Sequence, residues 1–318
     1  MKGLTFTKLG SGMRWIVWVL AALGFGATAQ AEVLPVRWGE PAAAAEVAGL
    51  RGLALERFSG ADGRALASQL ETRLAAARDV AGEPYYALYA LDSAAGAANV
   101  DAVVEGGANA SVEENRVVRK RRYCIAAAEP RTNCKDNEKE EREVSCLNRI
   151  VALTSDVRVA REVDGRIIYR RAVSKRDDRT VCPTDGALPP AEDAIEYLLG
   201  LAATDYARDL APMWQDGEIR VLESRKGLTK VQGETFKTAL RATKTSPEEA
   251  CRLLGKLADE APAQRSVAFN VALCDEMRGD YERALAGYHA LGPDREAAAA
   301  MRRVEATITA LNIDFDRR

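Results

Sequence analysis

Histidine is almost absent: His289 stands alone in a chain of 318 residues. One imidazole excludes the paired histidines of an HExxH zinc site, and no GxSxG motif supplies the serine of a Ser-His-Asp arrangement. Phosphate cradles are missing too. There is no GxxxxGK[ST], no GxGxxG follows a strand-like segment, and Glu105-Gly106-Gly107 has too few glycines to wrap an anion. No two cysteines have the CxxC spacing of a thioredoxin-like redox centre. Aromatic residues make up 6% of the chain. None is interleaved in the basic run Arg119-Lys120-Arg121-Arg122, so that run has no platforms for base stacking and reads as a solvated strand end opposite an acidic loop. The net charge of −2 gives no whole-chain field for polyanions. Acidic neighbours such as Asp92 with Asp101, or Asp177 with Asp178, have no cleft specified around them and read as solvated positions. His289 is expected on a helix surface. The enzyme class is disfavoured, and no catalytic, cofactor-binding or metal-binding residue is assigned.

Long apolar runs are also lacking. The uncharged stretch Trp15 to Gly26 has about 12 residues, short of the roughly 20 needed to cross a bilayer. Lys2, Lys8 and Arg14 precede or flank it, and Ala29-Gln30-Ala31 gives the small-x-small pattern of a signal-peptidase site. Residues 1–31 are therefore expected to be a signal peptide cleaved near Ala31, in preference to a retained anchor. No cysteine there offers a site for a lipid. The mature chain is expected to be soluble in an exported compartment.

Six cysteines, an even number, suit an oxidising compartment. Cys124, Cys134, Cys146 and Cys182 are too widely spaced for the tight pairs of a zinc site. Structural disulfides are the better reading. The strand pattern puts Cys124 at the end of one strand and Cys146 at the start of the next, so pairing 124–146 with 134–182 is preferred over 124–134 with 146–182. Cys251 and Cys274 fall on consecutive antiparallel helices, on either side of Pro262 and level with each other. A third bridge is expected there.

Two halves differ in periodicity. From Val36 to about Ser224, strands and helices alternate. Leu50 to Phe58 is strand-like, Arg64 to Arg78 carries Leu66, Leu70 and Leu74 on one helical face, and Tyr85 to Leu91 is strand-like again. Asp101 to Val118 reads as a strand with a bulge at Gly106-Gly107, and Leu147 to Val163 forms a hairpin with Arg166 to Val173 through Asp164-Gly165. A helix from Ala191 to Leu210 and a short strand from Glu218 to Leu222 complete the half. The fold class is α+β, a mixed sheet flanked by helices, in residues 32–224. Residues 225–318 are helical and repeat: Pro247-Glu-Glu-Ala250 aligns with Tyr281-Glu-Arg-Ala284, 34 positions on. That is the tetratricopeptide period. Asn270 is the residue expected to face the concave groove and contact a partner, with Tyr288 packing in the core.

The opening strand, the turn Ser59-Gly60-Ala61-Asp62-Gly63, the helix around Ala65-Leu-Ala-Ser-Gln-Leu-Glu-Thr-Arg-Leu74, the strand Asp101 to Gly106, the hairpin Val157 to Tyr169 and the helix ending Asp209-Leu-Ala-Pro212 resemble a periplasmic domain family. It is the family shared by the curli secretion protein CsgG, the penicillin-binding-protein activator LpoB and the N-terminal domain of TolB. The likeness is one of layout and covers residues 36 to 224. It implies an exported bacterial protein, with protein partners in the cell envelope and only indirect membrane association. The chain departs from it in two places: the lipobox cysteine is absent, and the region that would supply membrane-facing hairpins is full of Arg, Lys and Glu. The expected function is a non-enzymatic adaptor that binds envelope proteins through both halves, without nucleic acid or cofactor. A homo-oligomeric ring component of a secretion or polymer-export system is the alternative.

Overall fold

The computed structural model describes residues 32–56, 58–89, 99–127, 131–292 and 294–317. The signal-peptide segment and Asp92 lie outside them. Strands β1 (Val33–Glu40), β2 (Gly52–Leu55), β3 (Ala87–Tyr89), β4 (Ala102–Cys124), β5 (Lys139–Arg161), β6 (Ile167–Val181) and β7 (Met213–Arg220) alternate with helices α1 (Ala45–Ala48), α2 (Gly63–Ala76) and α3 (Ala191–Leu210). Helices α4 (Lys230–Ala242), α5 (Pro247–Glu260), α6 (Arg265–Met277), α7 (Tyr281–Ala290) and α8 (Arg295–Arg317) follow without a strand. The α+β class expected from the sequence is the class observed.

The main sheet has the order β3-β2-β4-β5-β6, parallel between β3, β2 and β4 and antiparallel thereafter. Its register puts Val104, Ala108, Val151, Leu153, Val157 and Val159 on one face, where Leu66, Leu70 and Leu74 of α2 and Leu198, Ala202 and Tyr206 of α3 bury them. The four-residue steps along both helices set those side chains in one stripe, which is why they lie flat on the sheet. The opposite face carries exposed polar residues such as Asp156, Arg158 and Arg170. One face is dry and the other wet, as antiparallel sheets allow.

The expected bulge at Gly106-Gly107 is not there; the one register shift in the β4–β5–β6 ladders falls at Val159/Ala160. The glycines serve a close approach instead. A Cβ on Gly106 would lie 2.4 Å from the Asp156 carbonyl and 2.7 Å from the Phe58 ring, and one on Gly107 would lie 2.7 Å from Ser59 Oγ. The loop after β2 thus presses onto β4 only because those side chains are missing.

Strand β7 does not join the main sheet. It pairs antiparallel with β1 as a separate two-stranded ribbon, Val33 opposite Arg220 and Glu40 opposite Met213. Leu34, Val36 and Val221 are buried in a second core, with Phe236, Leu254, Phe269, Leu273 and Val304 of the helices. The ribbon therefore packs with the helical array, which puts the first strand of the described chain beside its last helices. Within that array Pro247 and Tyr281 open equivalent helices, and Ala250 and Ala284 at the same step of each are fully buried.

Candidate functional site

Strands β4 and β5 are each 23 residues long, about 75 Å at the usual rise. They run well beyond the helix-covered core. The sequence places their ends earlier, because from Ser111 onward β4 is exposed nearly throughout and loses the in–out alternation that marks a strand. The ladder nevertheless continues to Cys124 opposite Lys139. This extension explains the disulfides. Cys146 lies opposite Val117, not Cys124, so the two cysteines are roughly 24 Å apart along the ribbon, far outside the reach of one bridge. The preferred pairing of 124–146 with 134–182 is therefore overturned, and the other one is found. Cys124 is bonded to Cys134 across the tip loop (Cα–Cα 6.0 Å), and Cys146 is bonded to Cys182 (Cα–Cα 4.2 Å), just past the end of β6. One staple closes the tip; the other fastens β6 where the two-stranded extension leaves the sheet. Cys251 and Cys274 form the third bridge, between α5 and α6, as expected.

The extension is charged on both strands. Lys120 pairs with Glu141 at 3.5 Å, Arg121 with Asp185 at 3.7 Å, and Arg149 with Glu114 at 2.6 Å. At the tip, Lys139 Nζ donates to Asp136 Oδ1 at 3.0 Å. That hydrogen bond, with the charges of Lys139 and Arg122, holds the Asp136 carboxyl below its ordinary pKa.

The outer edge of β4 is covered near its root and again at the tip, where Cys124 N donates to Arg131 O. Ser59 N donates to Gly106 O, Asp62 N to Ala108 O, and Ala110 N to Asp62 Oδ2. Even-numbered residues thus point their backbone groups away from β5, and the alternation extends this to Val112, Glu114, Arg116, Val118, Lys120 and Arg122. Among the described residues, no strand pairs with that part of the edge. Val118 is 64% exposed.

Asn270 is not a groove-facing contact. It is fully buried on α6; its Oδ1 accepts from Leu222 N at 2.8 Å and its Nδ2 donates to Leu222 O at 2.9 Å. Gln264 Nε2 donates to Ser224 O at 2.8 Å, so the same helix holds the chain again two residues on. Both amides grip main chain, as they would grip a peptide, but the peptide is the protein's own segment after β7. Strand β1 lies alongside: Gly39 N donates to Thr307 Oγ1 of α8, and the Tyr281 hydroxyl to Arg37 O. Behind this segment, the buried Glu276 carboxylate accepts two hydrogen bonds from Arg303 (2.6 and 2.7 Å) and one from Tyr288 (2.9 Å). Burial, then the Glu276 charge, pushes the Tyr288 hydroxyl far above its ordinary pKa.

The remaining sequence candidates fall apart as chemistry. Asp101 Oδ2 caps the Arg51 and Gly52 N–H groups; Asp177 pairs with Arg179, and Asp178 with Arg176 and Asn148. His289 is exposed on α7. No group of three or more potential metal ligands occurs among the described residues, and none of their helices is long and apolar enough to cross a membrane. The three disulfides fit an oxidising compartment.

No family model matches the chain, and no curated protein matches it. Among solved structures, a dodecamer of a PelC point variant from Paraburkholderia phytofirmans is similar over 56% of this chain and 94% of that one, at 15% identity and a TM-score of 0.23. A likeness at that level carries no argument about function.

Proposed function

We propose that the protein is an exported, non-enzymatic adaptor that binds an extended, acidic segment of an envelope protein along the open edge of β4. The observation that carries this reading is the braced extension itself. It exposes a long row of backbone donors and acceptors that no strand among the described residues pairs, the template on which a partner strand adds. Arg116, Arg119, Lys120, Arg121 and Arg122 lie on or beside that edge and favour an acidic occupant. Two disulfides hold the extension in shape where no core can, which lowers the ordering cost of binding. The resemblance to the CsgG, LpoB and TolB domain family points to the same compartment and the same kind of partner.

A substitution separates edge binding from folding. The Val118 N–H points away from β5, so Val118→Pro removes an edge donor without removing a ladder bond. The partner captured from periplasmic extract by the native chain should be lost with Val118→Pro and weakened by Arg119→Glu, while the thermal midpoint stays put. Retention of the partner at full strength by Val118→Pro would sink the reading. Charge argues against the ring alternative built by edge pairing. Joining the free edge of β6 to that of β4 brings Arg170, Arg171, Arg176 and Arg179 towards Arg119 to Arg122. A monomer by solution mass at micromolar concentration is expected.

A further inference from the structure

A cavity of about 440 Å³ opens between α2, α3 and the β1–β7 ribbon, within the size range of small-molecule sites. Its walls are apolar, with Ala207 of α3 and Met213 of β7 among them, and its charged residues are Arg37, Arg73 and Arg78. No carboxylate lines it among the described residues.

Two unpartnered donors belong to residues that line it. Trp214 Nε1 and Arg37 Nε are both buried with no hydrogen-bond acceptor. Asp216 Oδ1 stands 3.9 Å from Arg37 Nε, too far for a hydrogen bond, and its side chain is 83% exposed. Arg37 instead lies over the Trp214 ring, 5.7 Å from the centroid. Buried donors without acceptors are rare in folded proteins, and each asks for an explanation. The other two cations are tied to neutral groups. Arg73 donates to Thr204 Oγ1, Gln69 O and Gly200 O at 2.9 to 3.0 Å, and Arg78 to Ala75 O and Ala77 O. These bonds fix both guanidiniums in place and leave their charge without a counter-ion at the wall.

We propose that this cavity binds a small amphiphilic anion, with its head among the Arg37, Arg73 and Arg78 guanidiniums and its apolar body against Ala207 and Met213. Apolar walls select for a hydrocarbon or ring body; a lining whose charged side chains are all cations selects for an anionic head over a neutral or cationic one. The site is distinct from the β4 edge and stands whether or not that edge binds a protein.

Calorimetric titration of the full chain with decanoate, below its micelle concentration, tests the proposal. Decanol and inorganic phosphate serve as comparisons, one lacking the charge and the other the apolar body. Saturable one-to-one binding of decanoate is expected, at least tenfold tighter than either comparison. Arg37→Met should weaken it at least tenfold. Ala76→Phe, at an exposed position on the cavity wall, should abolish it while leaving the thermal midpoint unchanged. Equal affinity for decanol, equal affinity for phosphate, indifference to Ala76→Phe, or no binding at millimolar decanoate would each overturn it. Should Arg37→Met fold poorly, the ligand comparison and Ala76→Phe decide the matter alone.

Discussion

The sheet half and the helical half are held together in opposite ways. In the sheet half, apolar burial and covalent staples occupy different places. Leu153, Val157 and Tyr206 sit in the core, while Cys124–Cys134 and Cys146–Cys182 lie on the extension beyond it. In the helical half they coincide. The Cys251–Cys274 bridge, the Glu276–Arg303 pair and the Asn270 clamp on Leu222 are all inside or against one core. Separation lets the extension change without disturbing what folds the sheet. Coincidence means that a change at any of the polar groups is felt by the whole helical array.

The largest effects should come from the two cores. Arg303→Met leaves the Glu276 carboxylate buried without its cation and is expected to cost about 3–5 kcal/mol of stability. Leu153→Ala, at a fully buried position of β5, should cost about 2–5 kcal/mol through lost burial and the cavity left behind. Denaturant midpoints measure both. The comparison breaks if Leu153→Ala also frees the disulfides of the extension for reduction under native conditions.

Asn270→Ala comes next. It strips partners from the Leu222 N–H and C=O together, each unpaired group costing about 1–3 kcal/mol. Asn270→Asp keeps the acceptor for Leu222 N but buries an unpaired carboxylate against Leu222 O, and should cost more. Hydrogen exchange at Leu222 reports the clamp directly. Removing residues after Ser224 is by contrast a poor probe of the helical half, since it also uncovers Leu34, Val36 and Val221.

How much of this the sequence showed depended on whether the deciding contact was local. Helix α3 is legible to the residue, because Pro189-Pro190 and Pro212 bracket an apolar stripe of period 3.6. The Cys251–Cys274 bridge is legible from two helices meeting at a turn. The extension was hidden because Arg119 to Arg122 and Glu140 to Glu143 face water on both sides, so no two-residue alternation survives to mark strand. The disulfide pairing failed with it, as its logic depended on where the strands end. Asn270 failed for another reason. Its residue type and helix position do signal a grip on extended main chain, but what it grips lies 48 residues earlier in the same chain, and no local pattern shows that.

Graded reduction gives a smaller but sharper test of separation. Cys134 is only half-buried, whereas Cys251 and Cys274 are 3% and 1% exposed. With rising dithiothreitol, alkylation and mass mapping should show Cys124–Cys134 opening before Cys146–Cys182 and Cys251–Cys274, whose cysteines are equally buried. Opening the tip forfeits roughly 3 kcal/mol of loop constraint in the chain-entropy picture. That loss should appear as faster amide exchange at the tip, with the global midpoint nearly unchanged. Opening in the reverse order would show that burial does not govern these bridges.

The smallest effect expected is an acid response confined to the same tip. The hydrogen bond from Lys139, and then the charges of Lys139 and Arg122, place the Asp136 carboxyl below its ordinary value of 3.8 when folded. A depressed carboxylate contributes its stabilisation in full above the unfolded pKa and loses it as pH falls through the folded one. The tip should therefore be unaffected down to about pH 4 and loosen only below that. Asp136 is fully exposed, so solvent screens the interaction and the root of the hairpin should not register the change. An NMR titration following the Asp136 carboxyl, residues 134–139 and Leu153 reads all three at once. Asp136→Asn should remove the tip response, and movement of Leu153 in step with it would mean that tip and root are one cooperative unit after all.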